Sequence, residues 1–170
     1  MSELVDEVDL NDTVLRVVTR QQMRAERLMH RAVFIAVVNS AGRLLIHRRS
    51  ELKDLWPGWW DIAVGGVVGA GESYDAAAIR EVREEIGVVA QPVPLGEGAY
   101  VDDAVALLGR CYVIRHDGPF EFADGEVVEA RFVTAVDFEE MRKHLQFLPD
   151  SVALLLPLVE HLLAPPAESA

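Results

Sequence analysis

The 170-residue chain has one cysteine, Cys111, which excludes an internal disulfide, a cysteine-rich structural zinc site and a Cys-x-x-Cys redox pair. It is also short of positive charge, since 16 Lys+Arg against 28 Asp+Glu leave a formal net charge of −12 at pH 7. A surface of that sign repels phosphate backbones and anionic headgroups, which argues against a nucleic-acid polymer or a membrane as partner. No apolar run approaches the roughly 18 residues needed to span a bilayer. Glu3, Asp6, Glu7 and Asp9 stand where a secretory leader would be basic and then apolar. These absences give the expectation of a cytoplasmic protein in a reducing compartment. There is no internal repeat and no low-complexity segment. With 51% hydrophobic residues the chain has ample material for one core, so a single domain over residues 1–170 is expected.

That domain is expected to comprise an N-terminal extension (1–29), a core (30–145), whose extent is that of a family resemblance, and a C-terminal helix and tail (146–170). Leu4–Val8 and Val14–Val18 read as a hairpin about Asn11-Asp12. Thr19 is placed to cap a helix running to Met29, with Arg20, Arg24 and Arg27 facing outward. Ala32–Val38 and Leu44–His47, joined by Asn39-Ser40-Ala41-Gly42, carry a strong hairpin signal. Lys53–Trp60 holds Pro57-Gly58 among tryptophans and reads as a tight turn; Ile62–Val68 is strand-like but laced with glycine. Helical spacing over Ser73–Ile86 is followed by Gly87 as a stop. Strand character returns at Gly98–Val101, Val105–Ile114 and Glu126–Thr134. Two helices then close the chain, Ala135–Leu145 and Asp150–Leu163, the second kinked or limited by Pro157. Alternating strands and helices predict an α/β fold with a sheet between helices.

The stretch Gly66–Val88, GVVGAGESYDAAAIREVREEIGV, carries the chemistry. On a helix, Glu81, Glu84 and Glu85 stand at i, i+3 and i+4 and share one face, while Ile79, Val82 and Ile86 follow the same spacing on another side. Three like charges on one face repel and call for a cation. Carboxylates are hard oxygen ligands of the kind Mg²⁺ takes together with water and substrate phosphates. Gly65, Gly66, Gly69 and Gly71 let the backbone approach metal or phosphate closely. Arg80, one turn from Glu84, is placed to hold that carboxylate.

This segment resembles the signature of the Nudix hydrolase family, Gx5Ex7REUxEExGU with U aliphatic. Gly66, Glu72, Arg80, Glu81, Val82, Glu84, Glu85, Gly87 and Val88 fill every specified position. The resemblance implies an α/β/α sandwich with a mixed sheet and a loop–helix–loop catalytic box. It also implies a divalent ion, Mg²⁺ or else Mn²⁺, held by Glu81, Glu84, Glu85 and the carbonyl of Gly65, with Glu72 and Arg80 bracing the loop and helix. The implied reaction is attack of metal-activated water on a phosphoanhydride bond of a nucleoside diphosphate linked to another group. The general base varies within the family; Glu85 is the first choice here and Glu126 the second.

Outside the box, His30-Arg31-Ala32 and the run HRRSELKDLWPGWW ending at Trp60 resemble isopentenyl-diphosphate isomerase and its Nudix-fold relatives. That likeness assigns Arg49 and Lys53 to the substrate diphosphate. The isomerase's catalytic cysteine and a metal-binding histidine fall near Gly65 and Val67, where this chain has neither, so hydrolysis is favoured over isomerisation. His30, without its companion ligands, reads as a structural or hydrogen-bonded histidine. The substrate expected is a small nucleotide or diphosphate, with nucleoside di- and triphosphates ahead of ADP-ribose, dinucleoside polyphosphates and similar compounds. A non-catalytic binding domain ranks last because every box carboxylate is present. Trp56, Trp59, Trp60, Phe34, Tyr100 and Tyr112 are rings available for stacking, none assigned to a base. The apolar C-terminal run and the N-terminal hairpin leave monomer and homodimer both open.

Overall fold

The computed structural model describes residues 2–122 and 125–165. β1 (Leu4–Val8) and β2 (Val14–Thr19) form the expected hairpin, and Thr19 Oγ1 accepts from Gln22 N–H to cap α1 (Arg20–Ala25). This helix stops four residues short of Met29. Glu26 closes its last turn, Arg27 takes the left-handed conformation (φ 51°), and Leu28 N–H returns to Met23 carbonyl, which frees His30 to begin β3 (His30–Val38). The turn after β3 is as expected: Asn39 Oδ1 accepts from Ala41 and Arg43 amides and Gly42 has φ 70°. The hairpin it predicts is formed only at its base, where β3 and β4 (Leu44–Arg49) pair antiparallel at Val38↔Leu44. Both edges of β3 are taken by other strands, so β4 turns away to pair elsewhere.

β5 (Trp60–Asp61) lies on β4, and β6 (Val64–Val67) runs antiparallel to β3 from Ile35↔Val64 to Ala32↔Val67. After α2 (Tyr74–Ile86) come β7 (Val93–Val101) and β8 (Ala106–Arg115); β8 runs parallel to β3 along its whole length, which makes the sheet mixed. β7 starts five residues earlier than expected. Pro94, Gly96 and Gly98 disguise it, and the glycines are there for packing: a Cβ on Gly96 would meet Leu158 Cδ1 at 3.0 Å, and one on Gly98 would meet Leu154 Cδ2 at 3.1 Å. β9 (Val127–Val133) pairs with β4. Of the C-terminal helices, α3 (Ala135–Met141) ends before Leu145. The other divides at Leu155, just ahead of Pro157, into α4 (Pro149–Leu154) and α5 (Leu156–Val159), followed by a 3₁₀ turn over Glu160–Leu162. The expected tail at residues 166–170 lies outside the described residues.

The alternation along β3 builds the sandwich. Ala32, Phe34, Ala36 and Val38 face a core with Phe138, Leu155, Leu156 and Val159 from the C-terminal helices, whereas Val33, Ile35 and Val37 face one with Ala77, Ala78, Val82 and Ile86 from α2. Helices therefore cover both faces of the sheet, as in the expected α/β/α arrangement. The N-terminal hairpin adds a small third cluster, in which Val5, Val18 and Met23 pack on Val67 of β6. That contact places α1 beside the glycine-rich strand. Among the described residues no helix is long and apolar enough to cross a membrane.

Candidate active site

Local chemistry fixes the acidic helix. Ser73 Oγ accepts from Ala76 N–H (3.2 Å), Asp75 sits in the first turn against the helix dipole, and Gly87 ends the helix at φ 70° with its N–H on Arg83 carbonyl. Val82 and Ile86 are buried, each worth about 1.5–3 kcal/mol. Ile79, expected on that stripe, is only half-buried; the alanines Ala77 and Ala78 take the close contacts instead, letting α2 lie tight against β3 and β6. Glu81, on the neighbouring face, is buried as well.

Arg80 is the hub of the box. Its guanidinium makes a bidentate pair with Glu72 (Nε to Oε1 and Nη2 to Oε2, both 2.9 Å), and Glu72 Oε2 also accepts from Gly69 N–H at 2.9 Å. Its Nη1 donates to Glu81 Oε1 at 2.7 Å and to Glu84 Oε2 at 3.2 Å, and Nη2 reaches Val67 carbonyl. One side chain thus ties the glycine loop, the strand and two carboxylates of the helix together. The Arg80 guanidinium holds the Glu72 carboxyl below its ordinary value. Glu81 shifts the other way, its pKa raised by burial despite Arg80.

Glu85 is raised well above the ordinary carboxylate range, first by burial and then by the negative charges of Glu81, Asp61 and Glu126, with Lys53 opposing. Lys53 forms an ion pair with Glu126. Arg49 donates from Nη2 to Leu55 carbonyl at 3.1 Å and leaves its Nε buried without a hydrogen-bond partner. The residues named from sequence, Arg49, Lys53, Gly65, Glu72, Arg80, Glu81, Glu84, Glu85 and Glu126, all line one cleft of about 560 Å³.

The cleft holds more than those residues. Arg20 and Arg24, expected to face outward, line it too; they stand at i and i+4 on α1, and the packing of Met23 against Val67 turns them inward. Helical spacing put them on one face, but nothing in the sequence said which way that face pointed. Asp61 and Asp150 line the same cleft and are buried; burial and the Asp61 charge push the Asp150 carboxyl up to about 7. Trp56 and Phe34 are the candidate rings that reach it, whereas Trp60 packs in the core and the Tyr112 hydroxyl donates to Asp75 at 2.7 Å. His30 also lines it, with Nδ1 3.0 Å from Leu28 carbonyl and burial lowering its pKa to about 4, so it is a neutral, hydrogen-bonded histidine.

Among the described residues no three acidic, histidine or cysteine side chains stand close enough together to cage an ion, since Glu81 and Glu84 are turned to Arg80. The donor set nevertheless suits a hard divalent cation: several carboxylates on one wall, with the Glu85 charge disfavoured by its acidic neighbours. Glycine keeps that wall clear, because a Cβ on Gly66 would lie 2.7 Å from Glu81 Oε1.

An α/β/α sandwich whose cleft brings together an acidic helix, a glycine-rich strand and several Arg and Lys side chains has the charge pattern of a site for a divalent cation and an anionic ligand. A NUDIX domain model matches residues 28–154. An uncharacterized Nudix hydrolase of Yersinia pestis is 37% identical over 90% of this chain and 84% of its own length, and another from Pseudomonas aeruginosa is 36% identical over 91% and 92%. Among solved structures, DR0079 from Deinococcus radiodurans superposes with a TM-score of 0.78 at 28% identity, covering 94% of this chain and 98% of that one. The NUDIX domain of Shewanella oneidensis NrtR, complexed with ADP ribose, shares the fold with a TM-score of 0.61 at 16% identity, covering 84% and 96%. The chain belongs to the Nudix hydrolase family, whose members generally act on pyrophosphate bonds and use divalent metal ions.

Proposed function

We propose that the protein is a Mg²⁺-dependent diphosphatase that cleaves a phosphoanhydride bond of a nucleoside di- or triphosphate. The observation that carries this is the convergence of the box carboxylates with Arg49 and Lys53 on one cleft. Glu81, Glu84, Glu85 and the Gly65 carbonyl would hold the ion, with Mn²⁺ as a substitute. The bound metal supplies a low-pKa route to hydroxide and neutralises charge on the bridging oxygens. Arg80 and Glu72 hold the loop and helix in register. Arg49 and Lys53 orient the diphosphate, and for Lys53 this means exchanging Glu126 for phosphate or sharing it between the two.

Glu85, on the acidic helix at the cleft, is the first choice for general base, and Glu126, tethered there by Lys53, is the second. ADP-ribose and related nucleotide diphosphates form the second substrate class, favoured by the ADP ribose in the NrtR domain of like fold. The test is a screen of nucleoside di- and triphosphates, nucleotide sugars, dinucleoside polyphosphates, ADP-ribose and isopentenyl diphosphate with and without Mg²⁺, products resolved. Metal-dependent release of phosphate or a nucleoside monophosphate is the expected result. Isomerised isopentenyl diphosphate without hydrolysis would overturn the reading.

A further inference from the structure

The side chain of Arg24 is in an unusual state for a partly buried guanidinium. It is 22% exposed, lines the cleft, and its buried Nε has no hydrogen-bond partner among the described residues. Its contact is an ion pair to Asp54, Nε to Oδ2 at 3.5 Å, and Asp54 is itself 57% exposed. A buried N–H donor without a hydrogen bond costs about 1–3 kcal/mol, and at 3.5 Å the Asp54 carboxylate offsets this by charge alone, which leaves room for a water or a ligand in the cleft to complete the donor. Arg49 repeats the pattern in the same cleft with its own buried, unpaired Nε, and these are the two such atoms among the described residues. Burial, with the positive charges of Arg20 and Arg49 nearby, holds the Arg24 pKa below its ordinary value, although Asp54 and Asp150 oppose this.

We infer that α1 belongs to the substrate site: Arg24, together with Arg49, binds a phosphoryl group of the substrate in the cleft that the acidic helix also lines. This rests on the diphosphatase reading for the identity of the anion, but for the existence of the site on two arginines that line one cleft, each with a buried Nε that makes no hydrogen bond. The N-terminal hairpin then serves to position an arginine that the sheet itself does not supply, through Met23 packed on Val67. Asp150, a second carboxylate acting on Arg24 after Asp54, has its pKa pushed up to about 7 by burial and by the Asp61 charge, so it opposes the arginines less in the acid range.

The test uses the full chain in EDTA, with inorganic pyrophosphate titrated by calorimetry. Wild type binds, and Arg24→Gln binds at least about tenfold more weakly, as expected for loss of a charge-assisted contact. Asp54→Asn, which removes the ion-pair partner, binds as tightly as wild type or more tightly. In turnover with Mg²⁺, Arg24→Gln raises KM with little change in kcat, the signature of a contact made equally in ground and transition states. If Arg24→Gln does not fold, Arg24→Lys decides, because a point charge replaces the planar fork poorly and affinity falls several-fold. No binding by wild type, or wild-type affinity in a folded Arg24 variant, overturns the inference. Failure of every substrate to turn over, with pyrophosphate binding still dependent on Arg24, would sink the diphosphatase reading and leave this site standing.

Discussion

The two walls of the cleft are charged oppositely and satisfied differently. On the acidic wall Arg80 gathers Glu72, Glu81 and Glu84 into one hydrogen-bonded set, so the polar groups of that wall are largely paired. On the basic wall Arg24 and Arg49 each leave a buried N–H unpaired and Lys53 is paired to Glu126 across a loop. The difference teaches that like charges on one side are stabilised by one internal counter-ion, whereas on the other side donors are left that the proposed anionic ligand would complete. The walls are therefore expected to fail in different ways.

The largest effect is expected on the acidic wall. Glu84→Gln and Glu85→Gln each keep the shape of the helix and remove a charged oxygen, so kcat falls by about 100-fold or more while the thermal melt stays near that of wild type. Near-wild-type turnover in both variants would remove the proposed metal site. Next comes a pair of glycines that separates fold from chemistry. A Cβ on Gly65 would lie 2.0 Å from the Val33 carbonyl oxygen, so Gly65→Ala must open the β3–β6 pairing and costs about 3 kcal/mol or more. At Gly66 the clash is with the movable carboxylate of Glu81. Gly66→Ala therefore loses metal affinity and activity with a stability change of about 1 kcal/mol or less. Denaturant melts beside Mg²⁺ titrations check both; equal stability losses would show that the two glycines do the same work.

A smaller effect tests whether Arg80 is what organises the acidic wall. Glu72→Gln keeps the volume but removes the charge from the bidentate pair, and kcat falls by about 10- to 100-fold, as is typical when a group supporting metal ligands is changed. Because the Glu72 carboxyl titrates below its ordinary value in the fold, its contribution to stability is full above about pH 4.5 and is lost as pH falls through the folded value. Wild type should therefore lose stability in acid that Glu72→Gln has already lost, and their melting curves should converge there.

The acidic wall was legible in sequence because its residues are local: Glu72 to Gly87 span a loop and one helix, where spacing sets the geometry. The strand β3 and its flanking helices followed from alternation in the same way. The basic wall was only partly legible, since Arg49 and Lys53 were identified by resemblance, whereas Arg24, Asp61 and Asp150 come from three distant segments that meet only when the sheet forms. The local pattern at Asn39-Gly42 gave the turn and the first pair of its hairpin, but competition from β6 and β8 for the edges of β3 decided how far that pairing runs. α1 shows the same limit, for an i, i+4 arginine pair defines a face and its burial depends on Met23 finding Val67.

The smallest effect sharpens the basic wall through pH. Asp150 is 6% exposed and titrates at about 7 in the folded protein, against about 3.9 when unfolded. Between those values the unfolded chain gives up the proton and the folded one keeps it, so this group makes the protein less stable as pH rises from about 4 to 7. The penalty is on the order of a few kcal/mol at pH 8, and a neutral amide of similar shape should avoid much of it. Asp150→Asn is therefore expected to flatten the pH dependence of the melting temperature across that window and to match or exceed wild type at pH 8. Above pH 7 it also leaves the charge of Arg24 and Arg49 less compensated, so pyrophosphate binding should fall less from pH 6 to pH 8 than it does in wild type. A pH profile unchanged by the substitution would mean that Asp150 is already ionised in the fold, and that the basic wall carries less net charge than its arginines suggest.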